Sequence, residues 1–315
     1  SGIVHQVDTE NAIDWTGLEY ERPARHGHLS HLAVHGGTIG LNLKWHNYFT
    51  LDSCYVRGAG KYGLYTEGWS SRIRNSTFRW CMAAGIRGGT HFNNNIVRDC
   101  YFSRNGVGFQ MTGGYGNRIE GCGFEVCAKA AVFLRGANSF TINNCYFEGN
   151  GYKTSKHFPV EGDAHTVHLD YACKKVTIHD NIFRSNKDPQ GASLSIAYLI
   201  GGHVYDNMFL NTPTAVKLQA ACETNSNAKP VIARTVVEGN MMDNVEEVLA
   251  EATPGARKQA LTRGSAFRMS LRRTCAESPL GRENPESIGD EILDVTHKRW
   301  YKSTGPTSAD WVPLN

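Results

Sequence analysis

The sequence predicts an all-β chain that folds as a right-handed parallel β-helix of about nine coils, with a small β module at its C-terminus. Three observations support this prediction. A six-residue apolar pattern recurs at nearly constant spacing, a second short strand pattern follows most copies, and similar residues occupy one pattern position in successive copies. Self-similarity with a period of about 20–50 residues is typical of solenoids and related repeat architectures.

The repeated pattern is seen most clearly in residues 142–147, Ile-Asn-Asn-Cys-Tyr-Phe. An apolar residue opens each copy and a large apolar residue closes it, with turn-prone and outward-pointing residues between them. The opening residues of the nine copies are Leu29, Leu51, Ile73, Val97, Ile119, Ile142, Ile178, Val204 and Val237. Successive openings are 22, 22, 24, 22, 23, 36, 26 and 33 residues apart, so the regular coil is interrupted by three insertions.

The second pattern begins seven or eight residues after each closing position and is often opened by glycine, as in Gly108-Phe109-Gln110-Met111. Alternation of apolar and polar residues over so few positions predicts half-buried strands rather than helices. Such a repeat cannot bury its apolar residues alone, but it can do so when stacked on its neighbours. Crossovers between parallel strands are right-handed, which predicts the hand of the coil.

The fourth pattern position predicts a ladder of small polar side chains inside the coil. Its residues are Cys54, Ser76, Cys100, Cys122, Cys145, Asn181, Asn207 and Asn240. The chain has nine cysteines, an odd number. We expect five of them to be reduced core residues rather than parts of a disulfide framework: Cys54, Cys100, Cys122, Cys127 and Cys145.

The composition excludes several classes of protein. The 33 basic and 30 acidic residues nearly balance, so neither nucleic acid nor an anionic membrane surface is suggested as a partner. No apolar run approaches the roughly eighteen residues that a membrane span needs, and no signal peptide is visible. The sequence contains no metal-binding motif, and we expect no cofactor.

The repeat divides the chain into four segments. We expect an N-terminal cap in residues 1–28, the β-helix in 29–250, a connector in 251–285 and a C-terminal β module in 286–315. Residues 289–294 and 298–302 predict a hairpin in the last segment. The three insertions fall at about 148–166, 184–192 and 219–235, and loops that leave a rigid scaffold are where function concentrates.

The coils, over about residues 29–249, resemble the pectate-lyase-like superfamily of right-handed β-helices, which includes the receptor-binding tailspikes of bacteriophages. The ending, from Gly289-Asp290 through Trp300-Tyr301-Lys302 to Trp311-Val312, is similar to small terminal β modules of phage tail fibres. The resemblance implies a homotrimer in the virion tail, outside the cell, that binds and depolymerises a bacterial surface polysaccharide. No virion-attachment domain is recognisable, so we expect the chain to be part of a longer protein.

Two other classes fit the same pattern. One is a receptor-binding protein of this fold without catalysis. The other is a secreted bacterial lyase or epimerase, against which the C-terminal module argues. Among enzymes of this kind the sequence favours a glycoside hydrolase over a polysaccharide lyase.

The first candidate catalytic pair is Glu125 and Glu148. Each follows a closing aromatic residue and should point outward, and the two should lie on adjacent coils, about 4.8 Å apart. Such a pair suits glycoside hydrolysis, in which one carboxyl group donates a proton and the other is ionised. Arg79, on the same outward ladder, and Trp80 are candidate substrate-binding residues. The alternative is a solvated pair of carboxylates balanced by Arg79 and Arg184.

The second candidate site lies in residues 161–171. We expect His168 and Asp170 to face outward beside Phe133 and Arg135, because Val167 and Leu169 should face the core. The candidate catalytic residues here are Asp163, His168 and Asp170, and the candidate substrate-binding residues are Arg135, Glu161 and Tyr171.

Two chemistries remain open for this second site. Asp163 or Asp170 could pair with Glu148 in an inverting hydrolase. His168 or Tyr171 could instead abstract the proton next to a uronate carboxylate that Arg135 neutralises, which would make the protein a lyase. An ordinary polar loop is the alternative to both. The outward Tyr101 and Tyr146 could stack on sugar rings or pack against partner subunits.

Overall fold

The structure is a computed structural model that describes residues 2–6, 11–14, 23–151, 164–186, 188, 191–219, 222, 231–251, 267–275, 291–294, 299–303, 307, 309 and 311–314. These residues form strands and turns and contain no helix. Accordingly, no helix in the described ranges could cross a membrane. The predicted all-β class is confirmed.

The nine copies of the apolar pattern stack in parallel and in register. Their opening residues pair in chain order: Leu29 with Leu51, Leu51 with Ile73, Ile73 with Val97, Val97 with Ile119, Ile119 with Ile142, Ile142 with Ile178, Ile178 with Val204, and Val204 with Val237. Nine copies joined in this way make eight turns of a β-solenoid. The register holds across all three insertions, which confirms the reading of the repeat.

Three sheets run along the stack, one for each strand of a coil. The first sheet carries the opening residues and consists of β4 (His28–Ser30), β8 (Thr50–Asp52), β11 (Arg72–Arg74), β14 (Ile96–Arg98), β17 (Arg118–Glu120), β20 (Asn138–Asn143), β23 (Lys174–His179), β27 (His203–Tyr205) and the start of β30 (Thr235–Glu251). The second sheet carries the closing residues and consists of β1 (Gly2–Gln6), β5 (Leu32–Gly36), β9 (Tyr55–Arg57), β12 (Thr77–Arg79), β15 (Tyr101–Ser103), β18 (Gly123–Glu125), β21 (Tyr146–Glu148), β24 (Ile182–Arg184), the start of β28 (Met208–Leu218) and the middle of β30.

The third sheet is formed by the second strand pattern of the repeat. It consists of β2 (Asn11–Asp14), β6 (Ile39–Lys44), β10 (Tyr62–Glu67), β13 (Ala84–Gly88), β16 (Val107–Thr112), β19 (Ala130–Arg135), β22 (His165–Leu169), β25 (Leu194–Ile196) and the ends of β28 and β30. Short strands at the turns complete the coils: β3 (Ala24–Arg25) with β7 (His46–Asn47), and β26 (Tyr198–Ile200) with β29 (Val231–Ala233).

The C-terminal strands change from parallel to antiparallel pairing. β31 (Phe267–Cys275) pairs in parallel with β30, and β32 (Glu291–Asp294) pairs in parallel with β31. β33 (Arg299–Ser303) then pairs antiparallel with β32, and β34 (Trp311–Leu314) antiparallel with β33. The predicted hairpin is confirmed, whereas the division of the chain into four segments stays a prediction.

A ladder of stacked phenylalanines fills the coil behind the second sheet. Its members are Phe78, Phe102, Phe124, Phe147, Phe183 and Phe209, all fully buried. Successive ring centroids lie 5.4, 4.5, 5.1, 4.8 and 4.8 Å apart with nearly parallel planes. Each ring precedes the outward residue of the next pattern position. The ladder therefore fixes where those outward side chains lie along the stack.

The fourth pattern position forms the predicted ladder. In its amide part, Nδ2 of Asn181 donates to Oδ1 of Asn207 (2.9 Å), and Nδ2 of Asn207 donates to Oδ1 of Asn240 (2.9 Å). In its thiol part, the backbone N–H of Cys100 donates to Sγ of Cys122 (3.5 Å). All five cysteines predicted to be reduced core residues are free and buried. Buried polar groups thus find partners on the next coil.

Candidate functional site

Glu125 and Glu148 lie side by side on the outer face of the second sheet. They are register partners in β18 and β21, directly beside the stacked rings of Phe124 and Phe147. Both side chains are partly exposed. The outward ladder predicted from the repeat is confirmed rung by rung: Arg57, Arg79, Ser103, Glu125, Glu148 and Arg184.

Each carboxylate of the pair accepts a hydrogen bond from a tyrosine. Tyr146 donates from its hydroxyl to Oε2 of Glu148 in its own strand (2.7 Å). Tyr101 reaches across to the next coil and donates to Oε2 of Glu125. Burial raises the pKa of both tyrosines, and the hydrogen bond to each glutamate raises it further. Both hydroxyls therefore stay protonated donors at neutral pH.

A glycine makes possible the contact between Tyr101 and Glu125, which joins two coils. Gly123 follows Tyr101 in the same outward column, and the Tyr101 ring lies over it. A Cβ at Gly123 would lie 3.1 Å from Cδ2 of Tyr101, which is closer than most Cβ contacts in proteins. The absence of a side chain at Gly123 therefore lets the Tyr101 ring reach over the next coil towards Glu125.

The two carboxylates differ in the charges around them. Nη1 of Arg184 lies 3.7 Å from Oε1 of Glu148. On the other side of the pair, towards the N-terminal coils, the ladder neighbour of Glu125 is the neutral Ser103, and the neighbour of Ser103 is Arg79. The charge of Arg79 lowers the pKa of Tyr101. The pair is therefore flanked by one close cation at Glu148 and a more distant one near Tyr101.

Trp80 lies at the turn that follows Arg79. Its backbone N–H donates to the carbonyl oxygen of Ser103 (3.3 Å), which places the turn beside the rung of Ser103. The guanidinium of Arg104 lies 5.3 Å from the Trp80 ring centroid, within the range of a cation–π contact. Aromatic and cationic groups thus border the same stretch of the second sheet as the glutamate pair.

The second candidate site differs from its prediction in one respect. The register is right, because His168 pairs with Phe133 and stacks on it at 5.1 Å, while Val167 and Leu169 are in the core. However, His168 is only 3 % exposed and Asp170 is fully buried. We expected both to face outward as accessible groups. Ser195 of β25, the register partner of His168, lies 2.9 Å from its Nδ1, and Gln219 contacts Ser195 and His165, so side chains of later coils help to enclose this site.

The site also divides between two sheets. Glu148 lies on the outer face of the second sheet, whereas Asp170 directly follows β22 on the third sheet. Arg135 and Tyr171 are half-buried on the third sheet side, and the Tyr171 ring packs against Tyr198 (5.8 Å). The remaining predicted residues, Glu161 and Asp163, lie outside the described residues.

A hydrogen-bonded network surrounds His168. The backbone N–H of Ala192 donates to Nδ1 of His165 (3.0 Å). The side-chain amide of Gln219 lies 3.0 Å from Nε2 of the same ring.

Ser195 links Gln219 to His168. The side-chain amide of Gln219 donates to Oγ of Ser195 (2.8 Å). The same hydroxyl lies 2.9 Å from Nδ1 of His168. Nε2 of His168 faces Oδ1 of Asp170 at 3.9 Å.

Another titratable cluster was missed by the sequence analysis. Glu67, at the end of β10, accepts a hydrogen bond from Tyr65 (2.5 Å) and lies 3.7 Å from Nδ1 of His91. Trp45 is next to it, 5.1 Å from the ring of His91. An added Cβ at Gly89 would overlap the Glu67 side chain, so this glycine makes room for the carboxylate, a relationship that the repeat pattern does not reveal. Within the described ranges, no three His, Cys, Asp or Glu side chains converge as metal ligands.

A family model described as a right-handed beta helix region matches residues 39–212, more than half of the 315 residues. The chain belongs to this family. No curated protein matches this right-handed β-helix chain.

Solved structures share the fold of this right-handed β-helix protein at low sequence identity. A tailspike protein mutant of E. coli bacteriophage HK620, in complex with a hexasaccharide, is similar with a TM-score of 0.55 at 12% identity, over 93% of this chain and 57% of that one. A double mutant of the same tailspike gives 0.53 at 13% identity, over 83% and 48%. A pectate lyase, Pel9A, gives 0.49 at 14% identity, over 80% and 68%. The chain thus spans about half the length of these tailspikes.

Proposed function

We propose that this chain binds a bacterial surface polysaccharide, such as a capsule, an O-antigen or an exopolysaccharide, and cleaves it by glycoside hydrolysis. The observation that carries the proposal is the register pairing of Glu125 with Glu148 on an open sheet face, each held by a tyrosine. Neighbouring parallel strands are about 4.8 Å apart. This spacing fits the separation of about 5–5.5 Å between the two carboxyl groups of retaining glycosidases.

In the proposed reaction, Glu148 is the nucleophile. Arg184 lies beside it and suits an anion there. An oxygen of Glu148 attacks the anomeric carbon and forms a glycosyl ester, while Glu125 gives its proton to the departing glycosidic oxygen. Glu125 then takes a proton from water as that water attacks the anomeric carbon and releases Glu148. Both carboxyl groups return to their initial state, and one water is consumed for each bond cleaved.

Two further groups orient the pair. Tyr101 and Tyr146 hold one oxygen of each glutamate, which leaves the other oxygen to face the sugar. Arg79 and Trp80, on neighbouring rungs, would contact the flanking sugar units. His168 and Asp170 are enclosed on another sheet, so we assign them to supporting the third sheet rather than to the reaction.

In our proposal the chain is part of a phage tailspike that acts outside the cell as a homotrimer. Supporting this, the outward column that contains Tyr146 continues as Ile182, Met208 and Met241. Ile182 and Met241 are 38% and 36% exposed, which is unusual for a row of aliphatic side chains on one face. Packing of such rows between three copies would bury them. Light scattering on the purified protein would give a mass near three chains if this holds.

The hydrolysis is tested by digesting a panel of bacterial capsules and O-antigens with the wild type, Glu125→Gln and Glu148→Gln. Glu120→Gln, an outward glutamate on the first sheet, is the matched control. We expect fragments heavier by one water per cleavage, and a loss of about 10²–10⁴-fold in both variants but not in the control. Fragments that lack this water would indicate a lyase, and binding without cleavage would indicate a receptor-binding protein. Either result would overturn the proposed hydrolysis.

A further inference from the structure

A second polar cluster lies on the outer face of the third sheet and extends over three coils. Lys44 and Glu67 are register partners at the ends of β6 and β10. His91 follows β13 on the next coil, with Nδ1 3.7 Å from Oε2 of Glu67. Tyr65 donates to the other oxygen of Glu67 at 2.5 Å. This face is distinct from the second sheet, which carries Glu125 and Glu148.

The carboxylate at its centre is held in place and largely enclosed. The side chain of Glu67 is only 10% exposed. Burying a carboxylate is costly unless polar groups surround it. Tyr65 donates to Glu67, and Nδ1 of His91, which is hydrogen-bonded to Oγ1 of Thr90 (3.1 Å), lies 3.7 Å from it. An added Cβ at Gly89 would overlap the Glu67 side chain, so the glycine makes room for it. Burial raises the pKa of Tyr65, and its contact with Glu67 raises it further, so Tyr65 remains a donor.

An aromatic surface borders the carboxylate. The half-exposed indole of Trp45 lies 5.1 Å from the His91 ring, and Nζ of Lys44 lies 5.1 Å from the Trp45 ring centroid. On the other side, Tyr62 packs 5.9 Å from Tyr65. Sugar rings carry apolar C–H faces that stack on aromatic side chains, and ligand sites combine such surfaces with a few placed polar groups.

The charges on this face favour an anionic ligand. Lys44 and Arg87 are both neighbours of the β10 strand, and the exposed Lys61 lies 5.2 Å from the Tyr62 ring centroid. Among the described residues named here, the cluster thus contains three cations and one carboxylate, Glu67. Arg87 flanks Tyr65 in register, and its Nη1 is buried with no hydrogen-bond partner in the described part of the chain. A guanidinium of this kind is suited to binding a carboxylate.

We propose that Lys44, Trp45, Tyr65, Glu67, Arg87 and His91 form a second saccharide site that takes a uronate, a sugar unit bearing a carboxylate. The sugar ring stacks on Trp45, its carboxylate lies against Lys44 and Arg87, and its hydroxyls donate to Glu67. The inference rests on the proposed function only in taking the ligand to be a segment of the same polysaccharide. With one carboxylate rather than a pair, this site lacks the hydrolytic arrangement of Glu125 and Glu148, and we assign it to binding.

The test measures binding of galacturonate and glucuronate oligomers by isothermal titration calorimetry, with neutral maltooligosaccharides as the ligand control. We expect the uronate oligomers to bind and the neutral oligomers to bind at least tenfold more weakly. Trp45→Ala should weaken uronate binding at least tenfold. Lys44→Gln, which keeps the stack on Trp45, should lower the preference for uronate over neutral oligomers. Tyr115→Ala removes an exposed ring outside the cluster and should leave binding unchanged.

Three results would overturn the inference: no uronate binding by the wild type, equal affinity for neutral oligomers, or affinities unchanged in both Trp45→Ala and Lys44→Gln. Circular dichroism of each variant shows whether it is folded, and Lys44→Gln keeps the test valid if Trp45→Ala is not. Failure here is separate from failure of the proposed hydrolysis. The latter is read from cleavage products of Glu125 and Glu148 variants, whereas this site is read from binding alone.

Discussion

Tyr101 donates a hydrogen bond across one coil of the β-helix to the carboxylate of Glu125 on the next. The contact joins residues 24 positions apart, close to one turn of the regular coil. It holds one member of the proposed catalytic pair in a set orientation, as Tyr146 does for the other within a single strand. The first prediction concerns this contact.

Replacing Tyr101 with Phe should slow cleavage without unfolding the protein. A hydrogen bond between neutral groups is worth about 0.5–1.5 kcal/mol, so a fall of roughly two- to tenfold in kcat/KM is expected if the contact orients the protonated Glu125 for reaction. Steady-state release of reducing ends measures the rate. Tyr55→Phe, in the same outward column, is the control and should retain full activity. An unchanged rate in Tyr101→Phe would remove the positioning role from this tyrosine.

Adding one methyl group at Gly123 should have a similar effect on activity. The new Cβ would lie 3.1 Å from Cδ2 of Tyr101, so the ring must shift by a few tenths of an ångström, and we expect this to draw its hydroxyl away from Glu125. We expect Gly123→Ala to lose activity about as much as Tyr101→Phe, and the double variant to lose little more, because both changes break one contact. Gly60→Ala, where the nearest atoms are 3.7 Å from the added carbon, is the control. Additive losses would contradict this coupling.

The amide ladder should contribute strongly to stability. Asn207 accepts from the backbone N–H of Asn181 (3.1 Å) and donates to the carbonyl oxygen of Ile178 (2.9 Å) inside the coil. Asn207→Ala leaves these buried groups without partners, at about 1–3 kcal/mol for each. Thermal unfolding should show a clearly lower Tm. Asn244→Asp removes the donor of an exposed hydrogen bond to Asn211 and still tolerates the left-handed backbone at this position (φ 50°). It should change the free energy of unfolding by less than ~0.5 kcal/mol.

Stability should fall in alkaline solution because of the buried thiols. Burial raises the pKa of Cys81, Cys127 and Cys173 from 9.0 to about 12. Below pH 9 each thiol is protonated whether the chain is folded or unfolded, and this contribution to stability is fully present. Between about pH 9 and 12 the unfolded chain loses protons that the folded chain keeps. Each thiol then lowers the free energy of unfolding by up to ~1.4 kcal/mol per pH unit.

The measurement for this prediction is Tm against pH from 8 to 11. Other groups also titrate there, so the comparison is with Cys127→Ala, whose Tm should fall less steeply above pH 9. At pH 8 the folded protein should resist iodoacetamide at these three cysteines and react once it is unfolded, because the thiolate is the nucleophile. Equal slopes in wild type and variant would exclude Cys127 as a contributor.

The stacking of the coils and the Glu125–Glu148 pair could be predicted from sequence for one reason. Both depend on a fixed offset from an apolar residue that recurs, and the phenylalanine ladder converts that offset into position. The residues that form the ladder at the fourth pattern position were predicted from the same periodicity. Nothing outside the repeat was needed, because each coil contacts only its neighbours.

The enclosure of His168 could not be predicted in this way. Alternation gives the direction of a side chain relative to its strand, and for His168 that direction was right. Burial depends also on what lies above the strand. Here Ser195 is 27 residues away, across the second insertion, and Gln219 is 24 residues beyond Ser195, where the third insertion begins. The paths of these insertions have no period.

The cluster around Glu67 was missed for a related reason. His91 and Trp45 lie in turns rather than at repeat positions, and their side chains meet Glu67 only through the local turn geometry. When turns differ in length, the repeat pattern does not predict which of their side chains come into contact. Such clusters are found from coordinates, where a glycine under a charged side chain, as at Gly89, is the visible sign.

Ile142 and Ile178 are partners on neighbouring coils although 36 residues separate them, whereas Ile119 and Ile142 are partners at a separation of 23. The coil accepts extra chain between these positions and returns it to the same place. Segments that leave the coil here can therefore be lengthened, shortened or exchanged between relatives while the spine keeps its shape. Under the proposed function, a change in the bacterial polysaccharide would be met by a change in these segments, while the fold that carries them stays the same.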